Sequence, residues 1–168
     1  MQHTFIAMVE NKPGVLMRIC SLFQRVNLNI DSLNVGECEI PGLSRLTLVF
    51  SGAHKIAELL RKQFNRLINV TEMHHLETEA AVVRRSTLVK VSAPRENLAE
   101  IIEIAGRINA GIADMSDDSL TVEVNGPEER IQNAITELKR FGINEMAYSG
   151  YIGMKRGNAL AKQRELVS

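Results

Sequence analysis

Glu10-Asn11-Lys12-Pro13-Gly14-Val15-Leu16 is the segment whose residue types and spacing suit chemistry best. It follows a short apolar run, Thr4 to Val9, and opens an amphipathic run. Pro13 suits the first turn of a helix, where a missing N–H leaves no carbonyl unpaired. Gly14 removes a Cβ where the free amides of a helix start point outward. Such amides attract anions, and the Asn11 side chain lies beside them. The mouth is too small and too weakly basic for a polyphosphate. It suits a single carboxylate, such as that of a free amino acid.

Other candidate groups are less demanding. His74-His75 invites a metal reading, but neighbours on a strand point to opposite faces and one ion could not use both. Cys20 falls near an apolar stripe and Cys38 in a loop; neither has zinc or C-x-x-C spacing. Arg84-Arg85 reads as solvated or as pairing between domains. Asp117-Asp118 lacks the ligand count of a calcium loop. No nucleophile–base pattern of recognisable spacing occurs, so no catalytic residue and no metal ligand is expected.

The elements that must position the Asn11–Leu16 segment come in two similar sets. Leu46-Thr47-Leu48-Val49-Phe50-Ser51-Gly52 resembles Leu120-Thr121-Val122-Glu123-Val124-Asn125-Gly126, and each precedes a run with helical periodicity. Leu67-Ile68-Asn69-Val70 and Gly142-Ile143-Asn144-Glu145 then open further strands. The first half reads as strand 3–10, helix 13–26, strands 28–37 and 44–51, helix 53–65 and strand 69–77. The second reads as strand 86–93, helix 95–106, strands 109–116 and 119–125, helix 127–140 and strand 143–151. Apolar stripes are expected at Val15, Leu16, Ile19, Leu22, Phe23 and Val26; at Ile56, Leu59, Leu60 and Phe64; at Ile101, Ile102, Ala105 and Ile108; and at Ile131, Ala134, Ile135 and Leu138. A βαββαβ order is the split-βαβ sandwich, so the expected class is α+β: two ferredoxin-like domains, each an antiparallel sheet with helices on one face. The expected domains are 1–78 and 79–154, with a connector at 78–85 and a basic, mobile or partner-ordered tail at 155–168.

Charge and composition exclude several function classes. Twenty basic and twenty acidic residues cancel in 168, which gives no electrostatic case for nucleic acid. No apolar run approaches the ~20 residues needed to span a bilayer. Met1-Gln2-His3-Thr4 has no basic n-region, and the expected compartment is the cytoplasm.

With these residues in view, the first half resembles the ACT family of amino-acid-sensing modules. The whole chain, from about residue 3 to 157, resembles the small regulatory subunits of acetolactate (acetohydroxyacid) synthase. The resemblance is carried by Glu10 to Leu16, Asn29-Ile30-Asp31-Ser32-Leu33-Asn34-Val35-Gly36, Pro41-Gly42-Leu43-Ser44-Arg45-Leu46-Thr47, Asp114 to Val124, and Phe141-Gly142-Ile143. Departures at Glu37-Cys38, Val83 to Ser86 and Tyr148 to Met154 touch none of the site residues below.

The resemblance implies a non-catalytic subunit that binds a large catalytic subunit, raises its activity and confers feedback inhibition by valine, or by leucine or isoleucine. It implies no cofactor in this chain; thiamine diphosphate, magnesium and FAD would belong to the catalytic partner. It implies a homodimer joined through the first domain, with effector contacts from Asn11, Gly14, Val15 and Leu16 of one protomer and Asn29 and Ile30 of the other. The residue chemistry suits that set. Amides at Gly14 and Val15 would meet a carboxylate, the carbonyls of Asn11 and Asn29 an ammonium, and Leu16 and Ile30 an isopropyl group. The competing readings are a free-standing ACT-type regulator of another enzyme or of transcription, and a small enzyme on the same scaffold.

Overall fold

Alternation along the strands decides which side chains meet. In β1 (Gln2–Glu10), Phe5, Ala7 and Val9 point to one face; in β3 (Leu43–Ser51), Leu46, Leu48 and Phe50 join them. The helices α1 (Val15–Arg25) and α2 (His54–Phe64) close over that face with Val15, Ile19, Leu22 and Phe23, and with Ala57, Leu60 and Phe64. Phe5, Phe23, Phe50 and Phe64 meet edge to face at the centre, with ring centroids 5.0 to 6.2 Å apart. Two further strands, β2 (Ser32–Glu37) and β4 (Val70–Leu76), complete an antiparallel sheet of order β2-β3-β1-β4.

The second half repeats the plan. Strand β5 (Ala81–Ser92) leads to α3 (Arg95–Arg107), then β6 (Gly111–Met115), β7 (Ser119–Gly126), α4 (Glu128–Leu138), a 3-10 turn at Lys139–Phe141 and β8 (Ile143–Tyr148). The sheet order is β6-β7-β5-β8. Its core joins Val89, Val91, Leu120, Val122 and Val124 to Ile101, Ile104, Ala105, Ile131, Ala134 and Leu138. A last strand, β9, covers Ile152–Lys155. This computed structural model describes residues 1–76 and 81–157. Among them, no helix is long and apolar enough to cross a membrane.

The α+β class and both βαββαβ units are as expected. The two units share a further detail at their helix ends. Asn27 (φ 51°) and Asn109 (φ 53°) each end a helix in the left-handed region. In the first, Leu28 N–H donates to Phe23 O at 3.0 Å and Asn27 N–H to Gln24 O at 3.0 Å. In the second, Ala110 N–H donates to Ala105 O at 2.8 Å and Asn109 N–H to Gly106 O at 3.0 Å. Both are Schellman caps built on the matched runs Arg25-Val26-Asn27 and Arg107-Ile108-Asn109.

Several boundaries differ from the expectation. The first helix starts at Val15, not residue 13, because Pro13 and Gly14 form a turn ahead of it. Strand β2 begins at Ser32 because the Asn27 cap and the loop after it occupy the preceding residues. Leu16, Leu59 and Ile102 lie outside their stripes and are exposed, while Ala57 and Ile104 are buried in theirs. The expected connector falls partly inside β5, which begins at Ala81; residues 77–80 lie outside those described. The expected strand 143–151 ends at Tyr148, and a separate strand begins at Ile152.

The division between units also differs from the expected one. The first unit is Met1–Val82 together with the chain from Tyr151 on, and the second is Val83–Gly150. Hydrogen bonds give the reason. Gly153 N–H donates to Thr47 Oγ1 at 3.2 Å, and Arg45 Nη2 and Nε donate to Gly153 O at 3.2 and 3.3 Å. Tyr151 N–H donates to Ser32 Oγ at 3.0 Å. A Cβ on Gly153 would stand 3.0 Å from Leu76 Cδ1 and 3.4 Å from Ile6 Cγ2, so β9 lies on the face of the first sheet away from its helices. Lys155, expected in the tail, lies within 2.9 Å of His74 Nδ1; the tail beyond Gly157 lies outside the described residues.

Candidate functional site

The site grows from the turn between β1 and α1. Two Pro-Gly turns meet there. In Lys12-Pro13-Gly14-Val15 the glycine has φ 83° and ψ −10°, the third position of a type II turn, which a proline before it favours. In Ile40-Pro41-Gly42-Leu43 the glycine has φ 79°, and Leu43 N–H closes the turn on Ile40 O at 3.2 Å. Asn11 N–H donates to Gly42 O at 2.9 Å and joins the two.

Gly14 is the N-cap of α1, with no side-chain cap on the helix. The Asn11 side chain makes no capping hydrogen bond to this helix. Arg18 N–H makes the first helical rung to Gly14 O at 3.1 Å, and Val15 N–H turns back to Lys12 O at 3.4 Å. The amides of Leu16 and Met17 follow in the first turn, where no carbonyl of the helix can reach them. Met17, which sequence reasoning did not include, thus joins the donor set. Its 74% exposure, with Leu16 at 41%, leaves an apolar lip beside the amides.

The remaining site residues are placed as follows. Asn11 and Gly14 are exposed, and Val15 is buried in the core, so only its backbone faces the turn. Asn29 is exposed in the loop after the Asn27 cap; Ile30 is half-buried against the first core. Within one protomer, Asn11 and Asn29 lie at opposite ends of the sheet. Glu10 pairs with Leu43 and Ser32 with Val49, which separates the two ends by roughly 20 Å of strand.

Charges around the turn are paired. Asn69 Nδ2 donates to Glu10 Oε2 at 2.6 Å, and Asn69 Oδ1 accepts from Arg18 Nη1 at 2.6 Å. Lys12 Nζ is 3.3 Å from Glu10 Oε2. The Asn69 hydrogen bond, then that from Lys12, draws the Glu10 carboxyl below its ordinary range. The second unit lacks this arrangement. There, α3 is entered through extended Pro94 (φ −59°, ψ 157°), and Glu96 puts a carboxylate in the first turn, where an anion would be repelled.

The histidines separate as strand alternation demands. His75 accompanies Phe5 on the core side, with its Nε2 3.1 Å from Nδ1 of buried His3. His74 lies on the other face and hydrogen-bonds to Glu72. Among the described residues, no three His, Cys, Asp or Glu side chains are grouped to hold a metal. Cys20 and Cys38 are free thiols. Arg85 pairs inside the second unit, at 2.9 Å from Glu128 Oε2 and 4.1 Å from the Tyr148 ring centroid.

Two such units, one of them bearing a glycine-capped helix start, define a tandem ACT-type protein, and the comparisons agree. Residues 5–72 match the family described as the AHAS small subunit-like ACT domain. Residues 84–157 match the family described as the small subunit of acetolactate synthase. The chain is 42% identical over 158 residues to the probable acetolactate synthase small subunit of Archaeoglobus fulgidus, covering 94% of this chain and 99% of that one. It is 39% identical over 155 residues to the acetolactate synthase small subunit of Mycobacterium bovis, covering 92% of each. The crystal structure of the Thermotoga maritima small subunit superposes with a TM-score of 0.85 at 32% identity, covering 95% of this chain and 99% of that one. The chain belongs to the family of acetolactate synthase small subunits.

Proposed function

We propose that this chain binds the large catalytic subunit of acetolactate synthase, raises its activity, and carries feedback inhibition by valine or a related branched-chain amino acid. The observation that supports this reading is the start of α1 at Gly14, which no side chain caps, beside exposed Asn11 and Leu16, in a unit matched to an ACT domain. An amino acid's carboxylate at the helix start gains about 0.3–2 kcal/mol. Its apolar side chain gains about 1.5–3 kcal/mol when fully buried. Terms of that size suit a reversible sensor.

The effector pocket is completed by a second copy. Strand β2 is a sheet edge, and Val35, Gly36 and Glu37 along it are exposed. An antiparallel two-fold pairing of β2 sets the Ser32 end of one protomer beside the Glu37 end of its partner. The Glu37 end adjoins the Pro41-Gly42 turn to which Asn11 is bonded. Asn29 and Ile30 of one protomer thereby approach Asn11 and Gly14 of the other. Valine regulates by stabilising one dimer arrangement over another; equal affinity for both would regulate nothing.

Reconstitution with the catalytic subunit tests the reading. The mixture is more active than the catalytic subunit alone, and valine reverses the gain. Gly14→Asp places a negative charge at the helix start, abolishing inhibition while leaving activation. A variant still fully inhibited by valine refutes the site. Asn11→Ala weakens valine binding in calorimetry with the fold intact; unchanged affinity counts against Asn11 as a ligand.

A further inference from the structure

We infer that Asn69, which contacts no proposed effector atom, is a positioning residue that holds the turn before α1 in its binding shape. The inference rests on the effector reading above. The turn has two flanks, the last residue of β1 and the second turn of α1, and Asn69 grips both. Its carbonyl accepts the Glu10 N–H at 2.9 Å, its Nδ2 donates to Glu10 Oε2 at 2.6 Å, and its Oδ1 accepts from Arg18 Nη1 at 2.6 Å. Arg18 in turn donates its backbone N–H to Gly14 O at 3.1 Å. A single planar side chain therefore ties Glu10 to the helix that Gly14 opens.

The chemistry of this clamp is directional. The carboxylate can only accept, and the guanidinium can only donate. The amide presents a donor to one and an acceptor to the other, and only one flip of that amide satisfies both. A register shift between Met8 and Val9 in the β1–β4 pairing lies next to the contact, and such irregularities re-aim neighbouring side chains. Glu10, kept ionised in the clamp, also draws Lys12 to itself. The helix start then meets a ligand with amide dipoles and not with the lysine charge. Holding those amides ready removes an ordering cost from binding.

The full-length chain, alone and reconstituted with the catalytic subunit, provides the test, with L-valine as the probe. Asn69→Leu keeps the bulk and removes both hydrogen bonds. It should weaken valine affinity by about tenfold, the scale of one charge-assisted hydrogen bond, with half-saturation for activation of the catalytic subunit unchanged. Asn69→Asp keeps the acceptor for Arg18 but faces Glu10 with a second carboxylate, so it should lose affinity as Asn69→Leu does; adding Glu10→Gln restores a donor opposite it and should recover part of the loss. Arg18→Gln cuts one arm at an exposed position, should give an intermediate loss, and decides the matter if Asn69→Leu does not fold. Unchanged affinity in Asn69→Leu and Arg18→Gln overturns the inference. So does a parallel fall of affinity, activation and melting temperature in Asn69→Leu without recovery in the Asn69→Asp, Glu10→Gln pair, which marks a merely structural role. Gly14→Asp runs alongside: if it too binds valine normally, the effector reading itself fails.

Discussion

Gly14 and Glu10 set the character of the site at the scale of single residues. Nothing lies within 4 Å of where a Gly14 Cβ would stand, so its φ of 83° alone makes a side chain costly. Gly14→Ala should therefore lower stability by about 1 kcal/mol through backbone strain, read from the denaturant midpoint. Glu10 offers a second measurement. Its folded-state carboxyl titrates below its ordinary value of 4.5, with Asn69 as the largest cause. A lowered carboxyl adds stability that is present at neutral pH and lost as pH falls through its folded-state value. Asn69→Ala should move the Glu10 titration upward toward 4.5, followed by the side-chain carbon shift in NMR; an unmoved curve contradicts the clamp. The turn at Gly14 was legible in the sequence because Pro-Gly turn chemistry is local. Asn69 was not, because its partners are distant in the chain and only the β1–β4 pairing brings them together.

At the scale of elements, the paired helix caps carry the repeat further than the strand matches do. Asn27 holds φ 51°, a conformation a β-branched residue rarely takes. Asn27→Val should cost about 1–2 kcal/mol, while Asn27→Gly stays close to wild type, both by chemical denaturation. Most elements were legible because their apolar spacing is strong; Ile19, Leu22 and Phe23 are buried as that spacing requires. Misreadings cluster where polarity and burial part company. Ala81 to Arg85 reads as a connector, yet it forms the first turns of pleat in β5. Residues 143–151 read as one strand because no proline marks the break at Ser149-Gly150.

At the scale of the whole molecule, the sheet face of the first unit away from its helices is lined by buried Ile6 and Thr47, with Gly153 of β9 against both. A chain ending at Gly150 should melt earlier, by about 4–8 °C for each kcal/mol lost in a domain of this size. Gly153→Val should have a like effect, since overpacking costs about 1–3 kcal/mol, and Leu76→Ala should relieve part of it. Additive penalties for that pair would contradict the contact between β9 and the first sheet. The sequence carried the repeat plainly enough to divide the chain in two. It could not show that the second half's last strand lies on the first, because four residues, Ile152 to Lys155, have no periodicity that names a partner.

The return of β9 fixes an order of events during synthesis. Met1–Val82 waits for Tyr151 to Lys155, while Val83–Gly150 emerges as one uninterrupted piece. The earlier unit therefore stays incomplete until the later one has been made, and the later one can close first, the reverse of the usual vectorial sequence.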